Sequence, residues 1–244
     1  MMITKFRISG NLWLLLLLFI PGIGWGYEEV EVANGGMIRG AVKFVGVAPK
    51  LPPLRITKAK EFCQNVPNET LLIGRDGGLR NAIITLEGIT RGKPVERESV
   101  HELDNVKCRF VPHDLVGSVG QYLLLRNSDP ILHTAHALFH DQPQFNVGLY
   151  PGKVSRKPLV SAGIAKILCE VHPWMSAYIA VTEHPYHTIT DLYGEYDLRD
   201  IPPGSYKLRV WHETLGMQEK QVEVKAGGVT NLDFMLSVPQ GGKK

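Results

Sequence analysis

The sequence predicts an all-β protein built as sandwiches, on three observations. Beyond the first 26 residues, helical periodicity is scarce. Short alternating or apolar segments recur throughout, each bounded by glycine or proline. The reversals between them carry turn chemistry: "YGEY" around Gly194, "PPG" at 202–204 and "GG" at 227–228 supply a free or a fixed φ.

In chain order the N-terminus comes first. Lys5 and Arg7 precede the apolar run "LWLLLLLFI" (12–20), which is short for a bilayer span, and "PGIGWG" closes it with small residues at Gly24 and Gly26. Residues 1–26 therefore read as a secretory signal cleaved before Tyr27, with an uncleaved anchor as the competing reading. A periplasmic or secreted protein is expected. No cysteine precedes Cys63, which excludes a lipidated cysteine just after the signal, and no later apolar run is long enough for a membrane span. The signal takes with it two of the 27 basic residues and none of the 24 acidic ones, leaving the mature chain close to neutral. That balance gives no electrostatic footprint for nucleic acid.

Strand character is found at 37–45, 81–87, 107–112, 121–127, 133–139, 165–171, 177–183, 187–191, 195–201, 205–212, 220–225 and 230–236. These are too many strands for one small sandwich, and the chain is long enough for one large or two small domains. Residues 46–80, with "APKLPPL" and "PNE", read as a long loop or a short helix near "TKAKEFC".

Cys63, Cys108 and Cys169 make an odd number of cysteines, so in an oxidising compartment one thiol has another use. A Cys63–Cys108 disulfide would close a loop worth about 4 kcal/mol in the chain-entropy view. Neither of those residues has a His or Met at ligand spacing after it, whereas Cys169 has both. "CEVHPWM" (169–175) is C-x2-H-x2-M, set between a strand ending near Val171 and one starting near Ala177. A blue-copper centre takes two imidazoles, a thiolate and a weak axial thioether, and this loop holds three of the four. Pro173 lacks an N–H and fixes φ, which stiffens the loop. For the fourth ligand "NSDPILHTAH" offers His133 after the strand "QYLLLR". Its rivals are His136, which alternation points to the opposite face, His113 in "FVPHD", and His140.

With "FVPHDLVGSVG" (110–120), "NSDPILH" and "CEVHPWM" in this order, residues 104–184 resemble the cupredoxins. The short ligand loop is most similar to that of the amicyanins. The resemblance implies a Greek-key sandwich with one type 1 copper held by His133, Cys169, His172 and Met175. It departs at one position: the residue after the first His is usually an Asn that ties the two ligand loops together, and here it is Thr134, leaving a hydroxyl to serve.

The C-terminal run "TDLYGEYDLRDIPPGSYKLRVWHETLG", followed by "VEVKAGGVTNLDFML", resembles the regulatory domain of carboxypeptidases, a transthyretin-like β-sandwich. The G-x-I-x-G-x-V strand that opens such domains is present as "GGMIRGAVKF" at 35–44, with "LRNAIITLEG" (79–88) as the next. The expected organisation is a split sandwich, 27–88 and 187–238, with the cupredoxin module 89–186 inserted. Two domains in tandem are the alternative. "WHE" (211–213) is read as a strand-end Trp packing inward with exposed polar neighbours, and not as a metal or acid–base pair.

The function expected is that of an exported, monomeric type 1 copper protein passing single electrons to a redox partner protein. It is not expected to be an enzyme, because the sequence shows no second metal cluster, nucleophile motif or nucleotide loop. A copper-handling or protein-interaction module, with a structural or cargo metal, is the alternative.

Overall fold

The computed structural model describes residues 26–239, so the signal reading lies outside the described residues apart from Gly26. Nineteen strands form along them: β1 (Glu28–Glu29), β2 (Gly36–Phe44), β3 (Ile83–Glu87), β4 (Arg91–Gly92), β5 (Val100–Asn105), β6 (Phe110–Val111), β7 (Asp114–Ser118), β8 (Tyr122–Asn127), β9 (His133–Phe139), β10 (Gln142–Leu149), β11 (Val154–Pro158), β12 (Gly163–Leu168), β13 (Ser176–Thr182), β14 (His187–Ile189), β15 (Glu195–Ile201), β16 (Gly204–His212), β17 (Gly216–Val224), β18 (Val229–Asn231) and β19 (Phe234–Leu236). The chain is all-β: among the described residues one 3-10 turn, Arg75–Gly77, is the sole helical element. None of their helices is long and apolar enough to cross a membrane.

Two sandwiches result. In the first, a sheet of order β14-β3-β16-β17 faces one of order β15-β2-β18, with β19 also on β2. Alternation along β2 sends Ile38, Val42 and Phe44 into a core shared with Leu86, Leu208, Val210, Val222 and Phe234, and Tyr206 packs against it. Gly40 lies in the same alternating row, where a Cβ would come within 2.0 Å of the Leu232 carbonyl oxygen. That close approach marks where the parallel partner of β2 changes from β18 to β19. The Asp233 carboxylate bridges the break by accepting the Ala41 N–H at 2.8 Å. Residues 230–236 accordingly form two short strands instead of the single one expected.

β3 pairs antiparallel with β14, His187 opposite Thr85, and the Leu86 N–H donates to the Tyr186 carbonyl at 3.0 Å. The chain therefore leaves the first sandwich after β3 and re-enters it on the neighbouring strand. Between those points it builds most of the second sandwich, with sheets of order β10-β9-β12-β13-β7 and β11-β8-β5-β6. The core there holds Leu103, Phe110, Leu123, Leu125, Ile167 and Ile179 together with Cys169 and Met175.

Cys63 and Cys108 are disulfide-bonded, which ties the long 46–80 segment to this second core, and Cys169 is free and buried. That segment holds no helix near "TKAKEFC", only one turn in which the Cys63 N–H donates to the Ala59 carbonyl at 2.8 Å. The strand expected at 107–112 is reduced to Phe110–Val111, because Lys107 and Cys108 both take positive φ and turn. β1, β4, β5, β7, β10 and β11 lie where no strand is expected. β7, β10 and β11 are sheet edges: β11 buries no side chain, β7 is buried almost throughout and so shows no alternation, and β10 opens polar and exposed before Phe145, Val147 and Leu149 alternate onto the core. The "WHE" expectation is also reversed: His212 is buried, Trp211 is half-buried, and Glu213 turns inward.

Candidate metal centre

Two loops at one end of the second sandwich bring the site together. β12 ends at Leu168 and β13 begins at Ser176, so Cys169–Met175 is the connection between adjacent antiparallel strands. The Met175 N–H donates to the His172 carbonyl at 2.9 Å and the Cys169 N–H to the Met175 carbonyl at 3.4 Å, which closes the connection into a tight turn. His133 opens β9, the neighbour of β12. The loop before it is pinned by the buried Asn127 side chain, whose amide donates to the carbonyls of Ile131 (2.8 Å) and Leu149 (2.7 Å).

The result is a buried cluster of His133, Cys169 and His172 whose ligating atoms lie within 4.8 Å of one another. Nδ1 of His133 and Nδ1 of His172 are 3.0 Å apart, and Cys169 Sγ is 3.9 Å and 3.7 Å from them. Bond lengths common for imidazole and thiolate donors, about 2.0 and 2.3 Å, put ligand atoms of a trigonal site about 3.5 Å (N to N) and about 3.7 Å (N to S) apart. The donor set thus fits a soft metal ion with little movement. Met175 is buried in the same core, and its main chain closes the ligand turn.

Protonation suits the same purpose, since metal binding requires a free imidazole lone pair. Burial lowers the pKa of His133. Burial and then the neighbouring His133 ring hold His172 down at about 4. Nε2 of His133 is taken by Asp129 Oδ2 at 3.0 Å, which assigns the proton to Nε2 and leaves Nδ1 facing Cys169. Asp129 is itself fixed, accepting the N–H groups of Lys107 (2.6 Å) and Cys108 (2.8 Å). Cys108 sulfur lies near this carboxylate and His133, but its disulfide removes it as a ligand.

Thr134 links the two ligand loops. Its main-chain N–H donates to Cys169 Sγ at 3.3 Å, and its hydroxyl accepts the Glu170 N–H at 2.8 Å. The other histidines go elsewhere: His136 pairs with Glu170 at 2.9 Å, His140 stacks on Phe139, and His113 contacts Glu213. Sequence reasoning did not single out Asp129 or Asn127. "NSDP" (127–130) places Asp129 four residues before His133, but a polar turn by itself does not mark its carboxylate as buried.

A second cluster lies where the two sandwiches meet. His113 and Asp114, just before and at the start of β7, meet Glu213 from the turn after β16, with ligating atoms within 4.8 Å of one another. Burial pushes the Asp114 carboxyl up to about 7. For His113, burial acts to lower the pKa, but the contact with Glu213 and the charges of Asp114 and Glu213 outweigh it and raise it.

No curated protein sequence matches the chain. Among solved structures, the copper-containing nitrite reductase of Thermus scotoductus SA-01 is similar at 23% identity and a TM-score of 0.32, over 34% of this chain and 22% of that one. The chain thus spans about a fifth of that reductase. A purple cupredoxin from Nitrosopumilus maritimus is similar at 20% identity and a TM-score of 0.30, over 33% of this chain and 97% of that one. The P94F variant of amicyanin is similar at 17% identity and a TM-score of 0.31, over 36% of this chain and 96% of that one. Residues 172–237 match the family model of the carboxypeptidase regulatory-like domain.

Proposed function

We propose that this chain is an exported type 1 copper protein that carries one electron at a time between protein partners and performs no bond chemistry of its own. The observation that carries the reading is the convergence of His133 Nδ1, His172 Nδ1 and Cys169 Sγ in a buried cluster. Two imidazoles with one thiolate is the donor set of electron-transfer copper sites, and Met175, next in the loop, is the axial candidate. When bound, copper supplies a one-electron couple. The chain's own residues exclude water by burying all four side chains. They fix the His133 tautomer through Asp129, and they direct the Thr134 N–H at the sulfur, where it stabilises thiolate charge. The Cys63–Cys108 disulfide supports an oxidising compartment.

The test is a Cu(II) titration of the purified protein. An intense visible thiolate-to-copper charge-transfer band, bleached reversibly by reductant and absent in Cys169→Ser, is expected. Copper bound without that band would favour a cargo or structural metal on a protein-interaction module and overturn electron transfer.

A further inference from the structure

We propose that His113, Asp114 and Glu213 form a second cation site, selective for a first-row dication of the zinc type, which clamps the two sandwiches together. His113 and Asp114 come from the sandwich that holds Cys169, and Glu213 comes from the β16–β17 turn of the other. The side chains of His113 and Glu213 are 8% and 10% exposed, and Asp114 is 6% exposed.

An ion pair between His113 and Glu213 accounts for two of the three groups. It leaves Asp114, whose Oδ1 is buried with no hydrogen-bond partner among the described residues. A buried carboxylate oxygen without a partner is costly, and native proteins seldom retain one without a water, an ion or a function to explain it. A dication uses all three groups at once. One imidazole and two carboxylates are borderline to hard donors, which suit Zn(II) and not the Cu(I) that a thiolate favours. The walls are ordered: the Tyr178 ring packs edge-on to His113 at 6.4 Å, Trp211 packs on Tyr178 at 5.0 Å, and Arg109 pairs with Glu69 at 2.9 Å. This site is independent of the Cys169 cluster, whose ligands it does not share.

The probe is Zn(II), measured by equilibrium dialysis and metal analysis on the whole exported chain. Wild type is expected to bind one more ion per chain than either Glu213→Gln or Asp114→Asn, because the Cys169 cluster is intact in all three. Zn(II) should also raise the thermal midpoint of wild type more than that of the variants, with at least a tenfold weaker apparent affinity in each variant. Glu213→Gln keeps a hydrogen-bond acceptor for His113, and Asp114→Asn keeps the shape of the side chain, so either serves if the other fails to fold. Equal Zn(II) counts in wild type and both variants would overturn the site and leave an interdomain ion pair only. Copper colour, read in parallel, reports the Cys169 cluster separately.

Discussion

Asp129 Oδ2 sits 3.0 Å from His133 Nε2, and the same carboxylate accepts two main-chain N–H groups from the half-cystine turn at Lys107 and Cys108. One side chain therefore couples the disulfide to the first imidazole of the candidate copper site. Asp129→Ala frees the His133 tautomer and leaves those two N–H groups without a partner. Metal affinity should fall about 10–100-fold, and stability by about 1–3 kcal/mol for the orphaned groups. Competition titration with a copper chelator and urea unfolding read the two effects. Unchanged affinity would assign Asp129 to folding alone.

Thr134 permits a finer separation, because its N–H and its hydroxyl both reach Cys169 Sγ, at 3.3 and 3.8 Å, but only the hydroxyl also accepts the Glu170 N–H. Thr134→Val removes the acceptor for the Glu170 N–H at 2.8 Å and keeps the main-chain donor to Cys169 Sγ. Charge-transfer colour should persist while stability drops by about 1 kcal/mol and metal release quickens. Thr134→Ser should restore both. Loss of colour in Thr134→Val would mean that the hydroxyl, 3.8 Å from the sulfur, matters to the thiolate directly.

These relationships mark how far the sequence could be read. "CEVHPWM" displays three ligand types in one loop, and β2, β9 and β16 bury one face each, so spacing and alternation locate them. β11 buries no side chain and leaves no such trace, and β10 leaves only the short row Phe145, Val147 and Leu149 after a polar start. Asp129 is legible only through a contact with main-chain groups some twenty residues away, and Glu213 through one with a histidine a hundred residues away. No local pattern encodes either. The Trp211 expectation failed for the same reason, since the charged neighbour it left to solvent finds its partner in the other sandwich.

Acid should loosen the junction of the sandwiches through two buried neutral histidines. Burial holds His184 down at about 4 and His187 at about 3. Nε2 of His187 meets Ser118 Oγ of β7 at 3.1 Å, while its Nδ1 has no partner among the described residues. Above the unfolded-state value of about 6.5 both residues are neutral in either state and add no pH dependence. Below it the unfolded chain binds protons that the native chain refuses, so stability is lost as pH falls from about 6.5 toward 4 and 3. The slope is at most about 1.4 kcal/mol per pH unit for each histidine. Asp114, pushed up to about 7, acts in the opposite sense. The measurement is therefore a difference: urea midpoints across this range should fall less steeply for His187→Gln than for wild type. Parallel slopes would remove His187 from the acid response.

The last prediction concerns the inserted arrangement. The family match to the regulatory-like domain covers 172–237, yet the first sandwich depends on strands far upstream of it. Among the described residues β14 pairs only with β3, and β15, β18 and β19 pair only with β2. A fragment of residues 187–239 would keep one hairpin, β16–β17, and lose Ile38, Val42, Leu79, Ile84 and Leu86 from its core. An isolated hairpin is marginal in water, so the fragment should be unfolded by circular dichroism and should not melt cooperatively. Because Thr85 faces His187 and Leu86 bonds to Tyr186, β3 and β14 form a hairpin whose turn is nearly the whole second sandwich. Joining residues 27–87 to 185–239 through an Asn-Gly turn, the pair favoured in tight hairpins, with Cys63→Ser because Cys108 is absent, should restore a cooperative fold without copper colour. A stable, monomeric, cooperative 187–239 fragment would sink the insertion and favour two domains in tandem.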